Sequence, residues 1–202
     1  MIRTWKESIR RQLEERYLTA GDPRGQSGFQ GDEGAWRQAR EIIAASIDRD
    51  GTFLDVGCAN GYLMECIVEW CGEREIRVEP FGLEILEPLA DLARRRLPAW
   101  ADRIFTGDAY DWSPPQRFDF VRTHLDVAPV VDWRRVIEHL VSTVLAPGGR
   151  LICCSYGSSE GDDMTQPVGR LLRDWGYDVA GEAHAVYGRG GVVTRLAWVD
   201  VP

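Results

Sequence analysis

Apolar positions along the chain follow two alternating periods. Trp5, Ile9, Leu13 and Tyr17 stand four apart among charges and predict a helix over 3–18. Gly21-Asp22-Pro23-Arg24-Gly25-Gln26-Ser27-Gly28 breaks regular structure, and a second helix is predicted over 33–47. Asp50-Gly51 turns the chain into a strand over 52–56. A helix over 61–71 follows, apolar at Leu63, Met64, Ile67 and Val68, then a strand over 76–84. Pro80 interrupts that strand, so its start is expected to be irregular or at a sheet edge. The pattern continues with a helix over 86–97, a short strand at Ile104-Phe105 and a strand over 118–121. A helix over 132–145 stops before Pro147-Gly148-Gly149, and a strand over 150–155 leads into a polar loop over 157–163. A helix over 165–175 ends at Gly176. Strands over 177–186 and 192–200 form a hairpin around Gly188-Arg189-Gly190-Gly191. Alternating strands and helices predict an α/β fold, a doubly wound and mostly parallel sheet with helices on both faces and a C-terminal antiparallel hairpin. The chain divides into a helical N-terminal segment, 1–50, and a sheet domain, 51–202.

Composition narrows the function. The 202 residues carry a formal net charge of −8, and the pI is about 5.0. That balance argues against a nucleic-acid partner, which needs Lys and Arg to replace phosphate counterions. The strip Arg94-Arg95-Arg96 reads as a solvated helix face. With no apolar leader and no run of about 18 apolar residues, no membrane partner is expected and a cytoplasmic location is. Cysteines 58, 66, 71, 153 and 154 form no C-x-x-C pair and read as reduced thiols. His124, His139 and His184 are scattered, so no metal site is expected.

The most informative segment is Phe53-Leu54-Asp55-Val56-Gly57-Cys58-Ala59-Asn60-Gly61-Tyr62-Leu63. An apolar strand carrying one acid ends at a glycine and reaches a second glycine at the mouth of a helix. Such a turn lets a ligand touch bare backbone, and the helix start offers free N–H groups to an anion. The spacing is not the dinucleotide fingerprint G-x-G-x-x-G, and no G-x-x-x-x-G-K-[ST] occurs; the only lysine is Lys6. The run Asp55-Val56-Gly57-Cys58-Ala59-Asn60-Gly61 closely resembles the first signature of the class I S-adenosylmethionine (SAM) methyltransferases. Leu145-Ala146-Pro147-Gly148-Gly149-Arg150-Leu151 is similar to that family's turn into its fifth strand. The resemblance covers 51–155 by motif and implies a seven-stranded sheet.

It also implies roles for residues at successive strand ends. Asp55, Gly57, Cys58, Ala59, Asn60 and Gly61 would cradle the amino-acid arm and ribose of SAM, with Asp55 favouring the ammonium. Glu84 closes Phe81-Gly82-Leu83-Glu84, 27 positions after Gly57, and would accept from both ribose hydroxyls. Ile85 and Leu86 would cover the adenine. In Thr106-Gly107-Asp108-Ala109, Asp108 would accept from the adenine amino group while the backbone N–H of Ala109 donates to the ring. Thr123 and His124, at the end of the fourth strand, would lie next to the transferred methyl.

The donor is better specified than the acceptor. Family members that methylate exocyclic amino groups carry Asn/Asp-Pro-Pro-Tyr/Phe after the fourth strand, and Thr123-His124-Leu125-Asp126-Val127-Ala128-Pro129 departs from it. His124 is the candidate general base, since an ordinary imidazole titrates near neutral pH, and Asp126 would orient it or take the proton. The N-terminal segment is the candidate lid, with Tyr17, Phe29 and Trp36 as aromatic walls for the substrate. The reading is a SAM-dependent methyltransferase that acts on a small molecule, a metabolite or natural product, and releases S-adenosylhomocysteine. The alternatives are an RNA or protein methyltransferase, or a non-catalytic SAM-binding module. A homo-oligomer is compatible with every one of these.

Overall fold

A computed structural model describes residues 16–157, 165–188 and 190–202. Apart from 16–18 and Gly157, the expected helix over 3–18 and the loop over 157–163 lie outside the described residues, as does Arg189 in the expected hairpin turn. The strands are β1 (Gly51–Val56), β2 (Val78–Glu84), β3 (Ile104–Thr106), β4 (Phe118–His124), β5 (Leu145–Tyr156), β6 (Val179–Tyr187) and β7 (Gly191–Asp200). They form one sheet in the order β3-β2-β1-β4-β5-β7-β6. The pairs from β3 to β5 are parallel, and β7 runs antiparallel to both β5 and β6. The helices are α1 (Glu33–Ala45), α2 (Tyr62–Gly72), α3 (Glu87–Arg96), α4 (Trp133–His139) and α5 (Val168–Asp174). No helix among the described residues is long and apolar enough to cross a membrane.

Residue parity along each strand sorts the core into two layers. Leu54, Val56, Phe81, Leu83, Val121, Leu151, Cys153, Ala197 and Val199 face α4 and α5. Phe53, Phe120, Ile152, Cys154 and Leu196 face α1 and α2. Phe53, Phe118 and Phe120 are fully buried, and truncating any of them to alanine would cost about 3–5 kcal/mol. Helix α1 begins at Asp32, whose carboxylate accepts from the Ala35 amide at 2.8 Å. Its stripe of Trp36, Ile43 and Ala44, with Ile47 just beyond, packs into the second layer. This helix packs as a layer on the sheet, and among the described residues before it 16–32 form the covering segment.

Several boundaries differ from the predicted ones for local reasons. Strand β2 starts at 78, because Glu75 takes a left-handed turn (φ 60°) and Ile76 N–H returns to the Cys71 carbonyl. Pro80 is not at the sheet edge. β3 joins β2 only from Ile104 opposite Gly82, so the flank of Pro80 away from β1 has no strand to receive a hydrogen bond. The predicted helix over 132–145 is α-helical only to His139 and then widens into a π turn over Leu140–Val144. Strand β5 takes in Pro147-Gly148-Gly149 as a bulge: Phe118 pairs with Leu145, and Phe120 with Arg150. α5 starts at Val168 because Pro167 holds the chain before it outside the helical region.

Candidate functional site

The chain lays β1, β2 and β3 on one side and returns to place β4 beside β1, so the order reverses between β1 and β4. In such sheets the carboxyl ends of the strands at this reversal border the ligand crevice. A cavity of about 1010 Å³ opens there. Its floor is the strand ends, and its opposite wall is Tyr17, Ser27, Gly28, Phe29, Trp36 and Arg40.

At the end of β1, the amides of Gly57 and Cys58 both donate to the Leu83 carbonyl, at 2.8 and 3.1 Å. Gly57 has φ 80°, and a Cβ there would stand 2.9 Å from His124 Nε2 and 3.2 Å from Val127. Only glycine carries the turn beneath that imidazole. Asn60 and Gly61 do not line the cavity; they hold the turn. Asn60 Nδ2 donates to the Pro23 carbonyl and to Gln26 Oε1, at 2.9 and 3.2 Å. Its Oδ1 accepts from Ser27 Oγ at 2.6 Å and from the Tyr62 amide at 3.1 Å. Arg96 donates to the Asn60 carbonyl at 2.8 Å and pairs with Glu65, so part of the basic strip clamps this turn. The buried Cys58 thiol is pushed well up by burial and by the nearby Glu84 and Asp55 carboxylates, and is unreactive.

Glu84 ends β2 inside the cavity. One oxygen accepts from the Ala59 amide at 2.8 Å and the other from the Leu86 amide at 3.0 Å. Burial raises its carboxyl pKa, and these amides oppose the shift. Ile85 and Leu86 line the same end. Beyond β3, Asp108 is half-buried, accepts from the Tyr110 amide at 3.1 Å, and borders the cavity with Ala109.

The end of β4 is organised by a buried ion pair. Arg122 Nη1 donates to Asp55 Oδ1 at 2.5 Å, with both side chains almost wholly enclosed. Arg122 also donates to the Tyr156 hydroxyl. Asp55 Oδ2, Arg122 Nε and His124 Nδ1 are buried and lack a hydrogen-bond partner among the described residues. Burial, with the Arg122 and Arg40 guanidiniums, pushes the His124 pKa down to about 3. Its imidazole is neutral at physiological pH and gains little by accepting a proton, which weakens it as a base. Asp126 borders the cavity with a solvent-facing carboxyl, and crowding by neighbouring atoms pushes its pKa up. Thr123 points to the opposite sheet face, fully buried, and does not meet the cavity.

Tyr17, Phe29 and Trp36 all reach the cavity. Trp36 packs edge-on to Phe29 at 5.3 Å and donates to Cys66 Sγ at 3.3 Å. Gly28 (φ 79°) lies against Tyr17, and a Cβ there would fall 2.2 Å from the Tyr17 hydroxyl. Burial pushes the Tyr17 phenol up, and the Glu84 and Asp126 carboxylates act in the same direction.

Sequence reasoning gave no role to Arg40, Arg122 or Tyr156, although signals existed. Arg40 interrupts the apolar stripe Trp36, Ile43, Ile47 at helical spacing, and Arg122 stands within the apolar run of β4. The Arg40 guanidinium lies 3.7 Å from the Tyr156 ring centre and donates to Thr194 Oγ1 at 2.7 Å.

These features fit the expected cofactor. The cradle at Gly57 admits no side chain, two carboxylates stand at the ends of β2 and β3, and the orphaned oxygen of Asp55 lacks a donor. A family model described as a methyltransferase domain matches residues 30–191. No curated protein matches the chain by sequence. Among solved structures, the chain is similar to the 1,6-didemethyltoxoflavin-N1-methyltransferase of Burkholderia thailandensis, solved with S-adenosylhomocysteine. That match has a TM-score of 0.72 at 17% identity and covers 100% of this chain and 90% of that one. It is also similar to the magnesium protoporphyrin IX methyltransferase of Synechocystis PCC 6803 with bound SAM. Here the TM-score is 0.63 at 16% identity, covering 100% of this chain and 95% of that one. The [4+2]-cyclase SpnF matches with a TM-score of 0.63 at 14% identity, covering 98% of this chain and 96% of that one. Structural likeness at such identities speaks for the fold alone. The family match spans most of the chain and coincides with the glycine turn and the strand-end acids, so the protein belongs to the methyltransferase-domain family, enzymes whose cofactor is SAM.

Proposed function

We propose that the protein transfers the methyl group of SAM to a small-molecule acceptor held between the strand ends and the 16–40 segment. The observation that carries this reading is the cavity of about 1010 Å³, walled on one side by the signature residues and on the other by Tyr17, Phe29 and Trp36. Ligand sites occupy about 300–1,000 Å³, so this one has room for a cofactor and a second molecule. The small molecules named for the toxoflavin and protoporphyrin enzymes support an acceptor of that size. The net charge of −8 speaks against RNA.

Bound SAM supplies an activated methyl on a sulfonium, open to in-line displacement. Glu84 accepts from the ribose hydroxyls, Asp108 from the adenine amino group, and the Ala109 amide donates to the ring. Asp55 offers its orphaned oxygen to the ammonium. The aromatic wall excludes water and aligns the acceptor. His124, held neutral, lines the pocket beside Gly57 rather than moving a proton. Asp126 takes the acceptor's proton where one must leave, since a raised carboxyl pKa brings it nearer the working pH. Calorimetry with SAM, S-adenosylhomocysteine and NAD, followed by a metabolite screen with methyl-labelled SAM, tests the reading. Tight binding of the two adenosyl compounds and labelled product are expected. Binding of NAD alone would overturn it.

A further inference from the structure

Two guanidiniums are buried at the β5 end of the cavity, and only one is matched by a carboxylate. Arg122 is paired with Asp55. Arg40 is 8% exposed, has no carboxylate partner among the described residues, and spends one donor on the neutral hydroxyl of Thr194. Thr194 itself donates to the Ala39 carbonyl at 2.6 Å, which fixes its lone pairs towards Arg40. The guanidinium is further braced by the faces of Tyr156, Phe29 and Trp36, at 3.7, 5.3 and 5.4 Å from the ring centres. An arginine carries five N–H donors, so most of this fork has no acceptor among the described residues while the side chain lines the cavity. A buried charge in that state is costly and calls for a counter-ion.

We propose that Arg40 is the recognition residue for a carboxylate on the methyl acceptor, so that the substrate class is a planar, singly charged organic acid. One unmatched guanidinium balances one negative charge, which selects a monoanion over a phosphate dianion. The aromatic rings around it favour a flat molecule. Arg40 touches Trp36 of α1, Tyr156 of β5, Thr194 of β7 and Phe29 of the covering segment, away from Glu84 and Asp108, the acids assigned to the adenosyl group. Thr194 is a positioning residue.

The inference rests on the methyltransferase reading, and its test begins by separating the two. Calorimetry first establishes S-adenosylhomocysteine binding to the wild-type protein; without it the methyltransferase reading itself fails. The loaded protein is then titrated with salicylate, indole-3-acetate and 1-hydroxy-2-naphthoate, each beside its carboxamide. The carboxylates are expected to bind about tenfold more tightly than their amides, the scale of a charge-assisted hydrogen bond. Arg40→Gln is expected to abolish that preference and Arg40→Lys to keep part of it, with SAM affinity changed less than about threefold in both. Carboxylates binding no better than amides to the wild-type protein, or not at all, overturn the proposal even if Arg40→Gln does not fold. So does a tenfold loss of SAM affinity in Arg40→Gln with the carboxylate preference intact, which would assign the guanidinium to the cofactor's own carboxylate.

Discussion

Glu84 and Asp108, at the β2 and β3 end of the cavity, are carboxylates supported by backbone amides. Arg40 and Arg122, at the β5 end, are guanidiniums set among aromatic rings. The two ends are also made differently. The acids take their hydrogen bonds from residues 2 to 25 positions away, within one βαβ unit or one turn. The bonds of the cations reach across 34, 67 and 154 positions. The first end is a local device, built at the ends of β2 and β3. The second exists only once α1, β4, β5 and β7 have packed. A cofactor common to a whole family suits the first construction, and an acceptor particular to one enzyme suits the second.

The largest effect should come from unbalancing the cationic end. Asp55→Ala strands Arg122 in the core and should lower stability by about 3–5 kcal/mol in urea or thermal unfolding. Adding Arg122→Leu should restore much of that loss, because no buried charge is then left alone. A double variant as unstable as the single one would show that the pair is not a closed unit. At the other end, Glu84→Ala and Asp108→Ala should each weaken SAM binding by about 1–3 kcal/mol in calorimetry. Unchanged affinity in both would remove the adenosyl group from that end.

A pH titration separates the imidazole of His124 from the buried acids by sign. The folded-state pKa of His124, about 3, lies below the ordinary imidazole value, so the unfolded chain binds its proton more readily. This contribution is complete above about pH 6.5 and is lost as pH falls from there towards 3, at about 1.4 kcal/mol per pH unit. The raised carboxyls of Glu84 and Asp126 act in the opposite sense. The difference between wild type and His124→Asn isolates the imidazole, and between pH 6.5 and 5 the variant should lose less stability than the wild type. Parallel curves would mean that the ring is solvated. The smallest effect is expected at the cover. Gly28→Ala meets both a left-handed backbone and the Tyr17 hydroxyl, and should cost about 1 kcal/mol. Faster proteolysis within 16–32 at unchanged SAM affinity would confine that segment to the acceptor side.

Most of the sheet was legible from periodicity, because strands and helices bury alternate or every third-to-fourth residue wherever they lie. The glycine turn, Glu84 and Asp108 were legible because a strand-to-helix crevice demands the same residue types at the same places. The boundaries that slipped were those governed by neighbours. Pro80 is tolerated inside the sheet because β3 is short, and Pro147-Gly148-Gly149 enters β5 because β4 accepts a bulge. Among the site residues, Asn60 and Thr123 were placed near the cofactor by motif and strand position. Folding turned the first into a clamp on 23–27 and the second to the far face. His124 looked like a base from its ordinary pKa, and burial in the folded chain, with the guanidiniums of Arg122 in its own strand and Arg40 from α1, altered it. Short-range pattern thus decided that this chain builds a SAM-type crevice, since that depends on backbone geometry within a few dozen residues. The charge of the β5 end of the cavity was decided only by packing, since a guanidinium's partner and burial come from chain segments remote in sequence.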